Sequence, residues 1–516
     1  MRRVLSTSAL AVCATLCAAQ DYLVVGPPAL AEAAQGLLQA RRAEGLRAEW
    51  IEVPAGDDPR AVAEALRTML HARIAAAAQP GHVLLLGDAA RGGLPVPALA
   101  RPGLPTIVPG MPGSAQVWSD LGYVDVKGDG APSFALGRIP AASPDQLRAV
   151  IARSLAYERL APGEWVRELT FCAGDGDFGA VLDATLENAM RVLFTEELDP
   201  AQRLRSLVAL PESPYFAPPE DFAEVVRAEL DAGPFAFLYA GHGQIDRLAD
   251  LRLRGRSGSW PLLRREDAAR LRGAQRTLVF AFACHVGEFP RRSLGEDLLF
   301  AAHGPVAVVA ASQVSFPFGD LLLGRELMRL ARDHQRPARL GPLLAEARRR
   351  MLAPDPGDPF TRRAQTLAGM LMLFTESQAR LRRYTADLYH LLGDPALRLP
   401  RVERVAVEAL GGLRVSAPVR VRVTSPRDAQ VVLELARDRG RPAAAAATRP
   451  LAERRAAALD DVLFAARLTL RAGVPADVDL GACPSGLGGH AVLRVHGTTP
   501  EACLLGGVRC RVRLPD

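Results

Sequence analysis

Two apolar runs separated by an amphipathic segment constrain the fold of this chain more than any other feature. Arg276–Ser312 contains the apolar runs Leu278–Ala283 and Val306–Ala311, with the amphipathic segment Ser293–Ala302 between them. Short unbroken apolar runs are typical of strands that are buried on both faces of a parallel sheet. The segment therefore predicts a strand, a helix and a second strand within an open α/β sheet.

Two of the predicted strands end in chemically reactive side chains. The apolar run Phe235–Ala240 is followed by Gly241-His242-Gly243, and the run Leu278–Ala283 is followed by Cys284. The carboxyl ends of parallel strands share one edge of a sheet, where sites are built. If these two strands are neighbours, His242 and Cys284 face each other at that edge.

This pair suits covalent catalysis at a carbonyl carbon. A thiolate attacks the carbonyl carbon, and a nearby histidine can take the thiol proton and later return it to the leaving amine. The backbone N–H groups of Gly243 and Cys284 would stabilise the oxyanion. A single cysteine is more often a core residue, but a histidine and a cysteine at two strand ends indicate a catalytic dyad. Adjacent residues on a strand point to opposite faces, so His242 is favoured over His285 as the base.

The first 160 residues alternate between apolar runs and amphipathic segments, which predicts a doubly wound α/β layer. The predicted strands are Tyr22–Val25, Ala48–Val53 and His82–Leu86, and the predicted helices are Pro28–Glu44, Ala61–Ala77 and Pro144–Glu158. Gly92–Gly113 is rich in proline and glycine, which predicts a long surface loop.

Three aspartates raise the question of a metal. Asp120, Asp125 and Asp129 are spaced as oxygen ligands of a hard cation such as Ca²⁺ might be. The alternative, which the absence of EF-hand spacing favours, is that they are turn residues around Gly128 and Gly130. A structural calcium ion stays open on this evidence, and the dyad chemistry requires no cofactor.

The pattern changes after Arg401 to short alternating strands separated by turn residues, Val415–Thr424 being the clearest. This pattern predicts an all-β sandwich of the immunoglobulin type. Three cysteines, Cys483, Cys503 and Cys510, lie in this part, and one pair of them could form a disulfide in an oxidising compartment.

The charge distribution indicates which partners the protein binds, and the N-terminal sequence indicates where the protein is located. The net charge is +6, but Lys127 is the only lysine, and the arginines are interspersed with acidic residues, which argues against nucleic-acid binding. Met1-Arg2-Arg3 and the apolar stretch Val4–Ala19 have the layout of a signal peptide. The stretch is short for a bilayer span, so we expect export to the periplasm, cell surface or extracellular space without stable membrane insertion.

Several motifs together resemble the gingipain-type cysteine peptidases of family C25, which have a caspase-like fold. The most specific are YAGHG at Tyr239–Gly243, AFACHVGEF at Ala281–Phe289 and GPVAVVAAS at Gly304–Ser312. HVLLLGD at His82–Asp88 and LLGDPAL at Leu391–Leu397 extend the resemblance to about residues 21–400.

The resemblance implies four segments. They are a signal peptide at 1–19, an N-terminal α/β subdomain at 20–160, a caspase-like catalytic subdomain at 161–400 and an immunoglobulin-like β-sandwich domain at 401–516. It also implies that Cys284 is the nucleophile, that His242 is the general base and acid, and that Gly243 and Cys284 are the oxyanion donors.

Two further roles rest on the resemblance alone. A glutamate orients the histidine in the family, and the matching position here is Asp175, one methylene shorter, with Asp177 as a substitute. Asp183 matches the aspartate at the base of the specificity pocket of arginine-specific members, where a carboxylate would bind a guanidinium in a bidentate manner. The alternative is that Asp183 is a solvated residue on a helix face.

These features predict an exported cysteine endopeptidase that acts on proteins or peptides, with arginine before the cut as the candidate preference. One alternative is a transpeptidase or processing enzyme for exported surface proteins, which would use the same residues and differ only in its products. The other is a catalytically idle, gingipain-like surface binding protein with the β-sandwich as an adhesive module. The intact trio of Cys284, His242 and Gly243 argues against the idle protein.

Overall fold

The structure is a computed structural model. It describes residues 19–89, 95–108, 111–174, 176, 190, 193–252, 257–289, 291–333, 335–371, 377–443, 448–487 and 489–514, with backbone alone for 106–108, 111, 112 and 367–371. The predicted signal peptide lies outside these residues except for Ala19. Among the described helices, none combines the length and apolar character needed to cross a bilayer.

The strands of the first 400 residues are mostly short and apolar. They are β1 Asp21–Gly26, β2 Arg47–Glu52, β3 His82–Leu86, β4 Leu99–Val108, β5 Met111–Ser119, β6 Ala135–Ile139, β7 Glu168–Ala173, β8 Arg203–Val208, β9 Ala236–Ala240, β10 Gly243–Gln244, β11 Arg247–Leu248, β12 Asp250–Leu251, β13 Trp260–Pro261, β14 Leu278–Phe282, β15 Ala307–Ala311 and β16 Tyr389–Leu392.

The helices of this part connect the strands. They are α1 Ala31–Ala43, α2 Pro59–Ala76, α3 Pro144–Tyr157, α4 Phe222–Asp231, α5 Arg265–Ala268, α6 Leu294–Phe300, α7 Pro317–Arg332, α8 Leu340–Leu352, α9 Pro359–Leu371 and α10 Gln378–Leu388. Local sequence explains the starts of α2 and α3. Asp58 and Ser143 cap these helices with side-chain oxygens, and a proline occupies the first helical position of each.

Ten strands form one continuous sheet in the order β2-β1-β3-β6-β16-β15-β14-β9-β7-β8. Every pair of neighbours is parallel except β15 and β16. The sheet therefore has two parallel halves that run in opposite directions. The strand β16, from the end of this part, joins the halves by pairing Leu392 with Arg138 of β6.

Both faces of the sheet are covered, which explains the unbroken apolar runs. On β14, Leu278, Phe280 and Phe282 belong to one buried cluster, and Val279 and Ala281 belong to the other. The first cluster includes residues of α2, α7, α8 and α10, and the second includes residues of α1, α3, α4 and α6. The predicted α/β class, with a large and mostly parallel sheet, is confirmed.

The prediction of a long surface loop at Gly92–Gly113 is wrong. Strands β4 and β5 form an antiparallel hairpin that pairs Leu99 with Ser119. Proline is tolerated in such a two-stranded hairpin because an N–H that points outward is not needed for pairing. Gly103 is required by close packing, since a Cβ there would lie 2.0 Å from the carbonyl oxygen of Ser114.

The described residues after 400 form two further sheets and one helix. Its elements are β17 Val402–Arg404, β18 Ala406–Leu410, β19 Leu413–Arg414, β20 Pro418–Thr424, β21 Ala429–Arg437, α11 Leu451–Leu459, β22 Val462–Leu470, β23 Ala476–Ala482, β24 Gly489–Thr498 and β25 Cys503–Arg513. A six-stranded sheet contains β17, β25, β24, β21, β22 and β19, and a three-stranded sheet has the order β18-β20-β23. Alternate residues of β20, including Val419, Val421 and Val423, are buried in the core of this part.

The described residues of this part contain no disulfide, although the sequence left one open. All five cysteines in the described residues are free thiols, including Cys483, Cys503 and Cys510. Cys503 and Cys510 lie at separate positions of the same strand, β25, about 23 Å apart at the usual rise, so they cannot form a bond to each other.

Buried polar contacts attach the last part to the sheet domain. The guanidinium of Arg439 donates to the carbonyl oxygens of Phe194, Leu198, Asp199 and Gln202 at 2.5 to 3.2 Å. Separately, the buried Glu434 accepts hydrogen bonds from Arg167 of the sheet domain and from Arg494 of β24. These contacts fix the segment around 194–202, which borders the site described next.

Candidate active site

Three parallel strands of the sheet end side by side. Strand β9 lies between β7 and β14, and Ala240 pairs with Phe282 on one side and with Ala173 on the other. Two hydrogen bonds continue the pairing beyond the strand ends, from Gly174 N to Ala240 O at 2.9 Å and from Gly241 N to Phe282 O at 3.3 Å. The expectation that the strands before His242 and Cys284 are neighbours is therefore met.

The residues of the YAGHG motif form a tight turn that presents His242. The buried hydroxyl of Tyr239 donates to the carbonyl oxygen of His242 at 2.7 Å. Gly241 has a φ of +156°, and a Cβ there would lie 2.8 Å from the Tyr239 hydroxyl. At Gly243 a Cβ would lie 2.6 Å from the carbonyl oxygen of Cys284. Only glycine allows the histidine turn and the cysteine turn to approach so closely.

The imidazole of His242 is oriented by a backbone carbonyl. Its Nε2 lies 2.6 Å from the carbonyl oxygen of Gly176. A carbonyl oxygen only accepts hydrogen bonds, so this contact favours the tautomer that carries its proton on Nε2 and leaves Nδ1 able to accept one. Asp175, Asp177 and Asp183 lie outside the described residues, so their predicted roles stay predictions.

The thiol of Cys284 lies against Ser315, which follows strand β15. The backbone N–H of Ser315 donates to Sγ at 3.3 Å, and the Ser315 carbonyl oxygen lies 3.7 Å from Sγ. Burial raises the pKa of the Cys284 thiol above its ordinary value, and the N–H of Ser315 opposes part of that rise. The site therefore favours the neutral form of this thiol, which would need a base to become a nucleophile.

A carboxylate behind Ser315 was not predicted from the sequence. The Ser315 hydroxyl donates to Oδ2 of Asp320 at 3.0 Å, and the buried Tyr389 hydroxyl donates to Oδ1 at 2.7 Å. Loss of hydration raises the pKa of Asp320 to about 7. The only sequence signal was a polar Ser315 after a buried strand and an acid in the first turn of the next helix, and neither indicates that they meet.

His242 and Cys284 open onto a cavity of about 440 Å³. It lies between the ends of β7, β8, β9 and β14 on one side and helix α7 on the other. The apolar residues that line it include Phe171, Leu204, Leu238, Phe282, Val314 and Leu321. Asp320 supplies a carboxylate to the same cavity, and residues 437–440, 458 and 459 from the last part of the chain complete its wall.

The histidine of the AFACHVGEF motif, His285, has a different partner. His285 has a φ of +62°, an uncommon conformation for a residue other than glycine, at the sharp turn directly after Cys284. Its Nδ1 lies 2.7 Å from a carboxylate oxygen of Glu288, which also binds Arg291. Hydrogen bonding to His285 and Arg291 lowers the pKa of Glu288 although this side chain is buried. His285 therefore belongs to a surface ion cluster, whereas His242 lines the cavity.

The three aspartates considered as calcium ligands have protein partners. Both carboxylate oxygens of Asp120 accept from the buried guanidinium of Arg138 at 2.7 Å. Asp125 accepts the N–H of Gly130, and Asp129 accepts the N–H two residues ahead in a turn. The described residues contain no group of three histidine, cysteine or acidic side chains placed to hold a metal ion. The geometry supports the turn alternative at Asp129 and an ion pair at Asp120.

Comparisons with known proteins agree with this arrangement. The structure is similar to the crystal structure of the Arg-specific cysteine proteinase gingipain R, with a TM-score of 0.54 and 16% identity over 96% of this chain and 98% of that one. It is also similar to the complex of Porphyromonas gingivalis RgpB pro- and mature domains, with a TM-score of 0.52 and 16% identity over 96% and 100%. At these identities the likeness shows the fold alone.

The sequence itself decides the family. A search of curated proteins finds no match. The sequence profile of peptidase family C25 matches residues 17–400, which is most of the chain and includes both strand ends with His242 and Cys284. The chain therefore belongs to peptidase family C25, a family of cysteine peptidases.

Proposed function

We propose that this chain is a cysteine endopeptidase that cleaves peptide bonds with Cys284 as nucleophile and His242 as general base and acid. The observation that carries the proposal is the junction of β9 and β14, where the two turns touch through Gly243. Both side chains open onto the same cavity. Membership of family C25 supports a cysteine-type peptidase, and the assignment of roles to residues is our inference.

In the proposed catalytic cycle, Cys284 and His242 act on the substrate and on water. Nδ1 of His242 takes the proton of the Cys284 thiol as Sγ attacks the carbonyl carbon of the substrate. The tetrahedral intermediate collapses, the C–N bond breaks, and the imidazolium gives its proton to the leaving amine. Water, deprotonated by His242, then hydrolyses the thioester, which releases the carboxylic acid and restores the thiol.

The orientation of His242 supports this direction of proton transfer. The contact of Nε2 with the Gly176 carbonyl oxygen orients the ring and favours the tautomer in which Nδ1 can accept a proton. A protonated imidazole would keep the same hydrogen bond, so the ring need not turn during the cycle. Asp175 is the proposed acidic partner of the histidine that the sequence suggests.

Backbone N–H groups would stabilise the oxyanion. Gly243 and Cys284 are in contact, so their N–H groups come from two turns that are packed together. Preorganised donors of this kind contribute about 10²- to 10³-fold to kcat each. The absence of a side chain at Gly243 lets the cysteine turn pack directly against its backbone.

The preference for arginine is the finer part of the proposal. The apolar walls of the cavity suit a long aliphatic stem, and a carboxylate at its base would bind the guanidinium. The sequence assigns that carboxylate to Asp183.

Export through the N-terminal apolar stretch is also part of the proposed function. N-terminal sequencing of the mature protein tests it, with Gln20 or Asp21 as the expected first residue.

Hydrolysis of a fluorogenic peptide panel tests the activity. The peptides differ only in the residue before the cut, and the assay contains reductant, the wild type, Cys284→Ala and the control Cys172→Ala. Cys172 is buried on β7 and does not line the cavity, so Cys172→Ala should retain turnover whereas Cys284→Ala should lose it. Cleavage after leucine or phenylalanine in place of arginine would discard the Asp183 assignment, and turnover by Cys284→Ala would discard the nucleophile.

A further inference from the structure

A chain of hydrogen bonds lies behind the candidate nucleophile and takes no part in the cycle above. Ser315, which is 8% exposed, contacts Sγ of Cys284 with three atoms. Its N–H donates at 3.3 Å, its carbonyl oxygen lies at 3.7 Å and its hydroxyl oxygen lies at 3.9 Å. The contacts come from a single residue near the end of the loop between β15 and α7, so its position determines the environment of the sulfur.

Asp320 fixes the direction of the Ser315 hydroxyl. The hydroxyl donates to Oδ2 of Asp320, so its proton points away from the sulfur and its lone pairs are left to face Cys284. An oxygen in that state can accept the S–H of a neutral thiol, but it cannot donate to a thiolate. The second carboxylate oxygen accepts from Tyr389, which holds Asp320 in place from β16.

We propose that Asp320 is a positioning residue that acts through Ser315 to hold Cys284 as a neutral thiol until His242 removes the proton. The inference rests on the proposed function of Cys284 as the nucleophile. It assigns a purpose to a carboxylate that the catalytic cycle does not use, namely to prevent premature ionisation and oxidation of a thiol that opens onto a cavity.

The surrounding groups support this role. The titratable side chains that face the network are His242 across the cavity, Cys284 on the adjoining turn, Tyr389 from β16 and Tyr384 from α10. Tyr384 donates to the Val314 carbonyl oxygen at 2.7 Å. Burial raises the pKa of Asp320 to about 7, so it is largely ionised where the thiol titrates and its negative charge adds to the rise in the pKa of Cys284.

The test measures the thiol directly and does not depend on peptidase turnover. The rate of alkylation of Cys284 by iodoacetamide is followed from pH 5 to pH 10, with the adduct quantified on the Cys284 peptide by mass spectrometry. Asp320→Asn removes the charge and offers an amide donor to Ser315, whose hydroxyl can then turn toward the sulfur. We expect the alkylation midpoint to move to lower pH by about one unit, a tenfold change in the ionisation constant.

A matched control and a second variant complete the experiment. Asp387 on α10 is also a buried carboxylate that accepts from a serine, but it does not line the cavity, so Asp387→Asn should leave the midpoint unchanged. Ser315→Ala removes the hydroxyl acceptor at 3.9 Å but keeps the carbonyl acceptor at 3.7 Å, so it should lower the midpoint by less than Asp320→Asn does. In the Ser315→Ala background, Asp320→Asn should move the midpoint by less than half as much.

Three results would overturn the proposal. They are an Asp320→Asn midpoint that is unchanged or higher, a shift of equal size in the Ser315→Ala background, and a Ser315→Ala midpoint that is unchanged or higher. Ser315→Ala decides the question alone if Asp320→Asn fails to fold. If the midpoints are as expected but no peptide is hydrolysed, the proposed peptidase activity is refuted. The proposed role of Asp320 in holding the Cys284 thiol neutral would still stand.

Discussion

Gly243→Ala is the sharpest perturbation of the junction between the histidine turn and the cysteine turn. The added Cβ would lie 2.6 Å from the carbonyl oxygen of Cys284 and 2.8 Å from the Cβ of Ala283, whereas ordinary contacts begin at 3.4 Å. The cysteine turn must therefore move away by about 0.8 Å. A displacement of about 1 Å at a reacting group costs about 10²-fold in rate, so we expect kcat/KM to fall by about two orders of magnitude.

The assay compares peptide hydrolysis with urea unfolding of the same variant. Overpacking at this site should destabilise the fold by about 1 to 3 kcal/mol, which leaves the protein folded at 25 °C. Gly36→Ala is the control, because a Cβ there meets nothing within 4 Å on helix α1, and it should retain activity with equal or higher stability. Full activity of Gly243→Ala would refute the proposed contact between the two turns.

Three further predictions concern stability. Arg41 is fully buried and binds Asp394 and Glu158, so Arg41→Met should lower the free energy of unfolding in urea by about 3 to 5 kcal/mol. Burial lowers the pKa of His82 to about 4, so neutral His82 stabilises the fold above pH 6.5 and that contribution is lost toward pH 4. The wild type should lose about 3 kcal/mol more than His82→Gln over this range in urea unfolding. Arg439→Met removes donors to four carbonyl groups, so backbone amides in 194–202 should exchange hydrogen faster.

Specific results would contradict each of these. Arg41→Met with wild-type stability would mean that the buried carboxylates do not depend on that cation. Equal acid sensitivity of wild type and His82→Gln would mean that His82 is protonated in the folded state. Unchanged exchange in Arg439→Met would mean that other contacts, such as Glu434 with Arg167, hold the last part of the chain in place.

The pairing of β9 with β14 could be predicted because its signals are local. The runs ending at Ala240 and Ala283 are apolar without alternation, since each strand is covered on both faces by helices. Such runs form parallel strands, and parallel strands place their carboxyl ends together. The sequence therefore predicts that His242 and Cys284 follow neighbouring strand ends, as the structure has them.

The environment of the thiol could not be predicted in the same way. The contact among Ser315, Asp320 and Tyr389 joins a loop, a helix start and a strand that is distant in the chain. Strand β16 runs antiparallel to β15, and only this reversal places Tyr389 beside Asp320. No periodicity in the sequence indicates that reversal.

The hairpin formed by β4 and β5 was missed for a different reason. Proline and glycine usually indicate loops, and Gly92–Gly113 contains many of both. A hairpin that pairs only with itself tolerates prolines and can use glycine where its strands pack closely, as at Gly103. Composition could not separate this case from a loop.

The most direct test of Cys284 as the nucleophile and His242 as its base uses a peptidyl acyloxymethyl ketone with arginine next to the reactive group. The residue that this inhibitor modifies covalently is then identified. Digestion and mass spectrometry locate the thioether, and the labelling rate is compared between the wild type, His242→Ala and Cys172→Ala. We expect an adduct at Cys284. His242→Ala should slow the labelling of Cys284 by about 10²-fold or more, and Cys172→Ala should leave the labelling rate unchanged. An adduct at another cysteine, or labelling of Cys284 at an equal rate without His242, would contradict these roles.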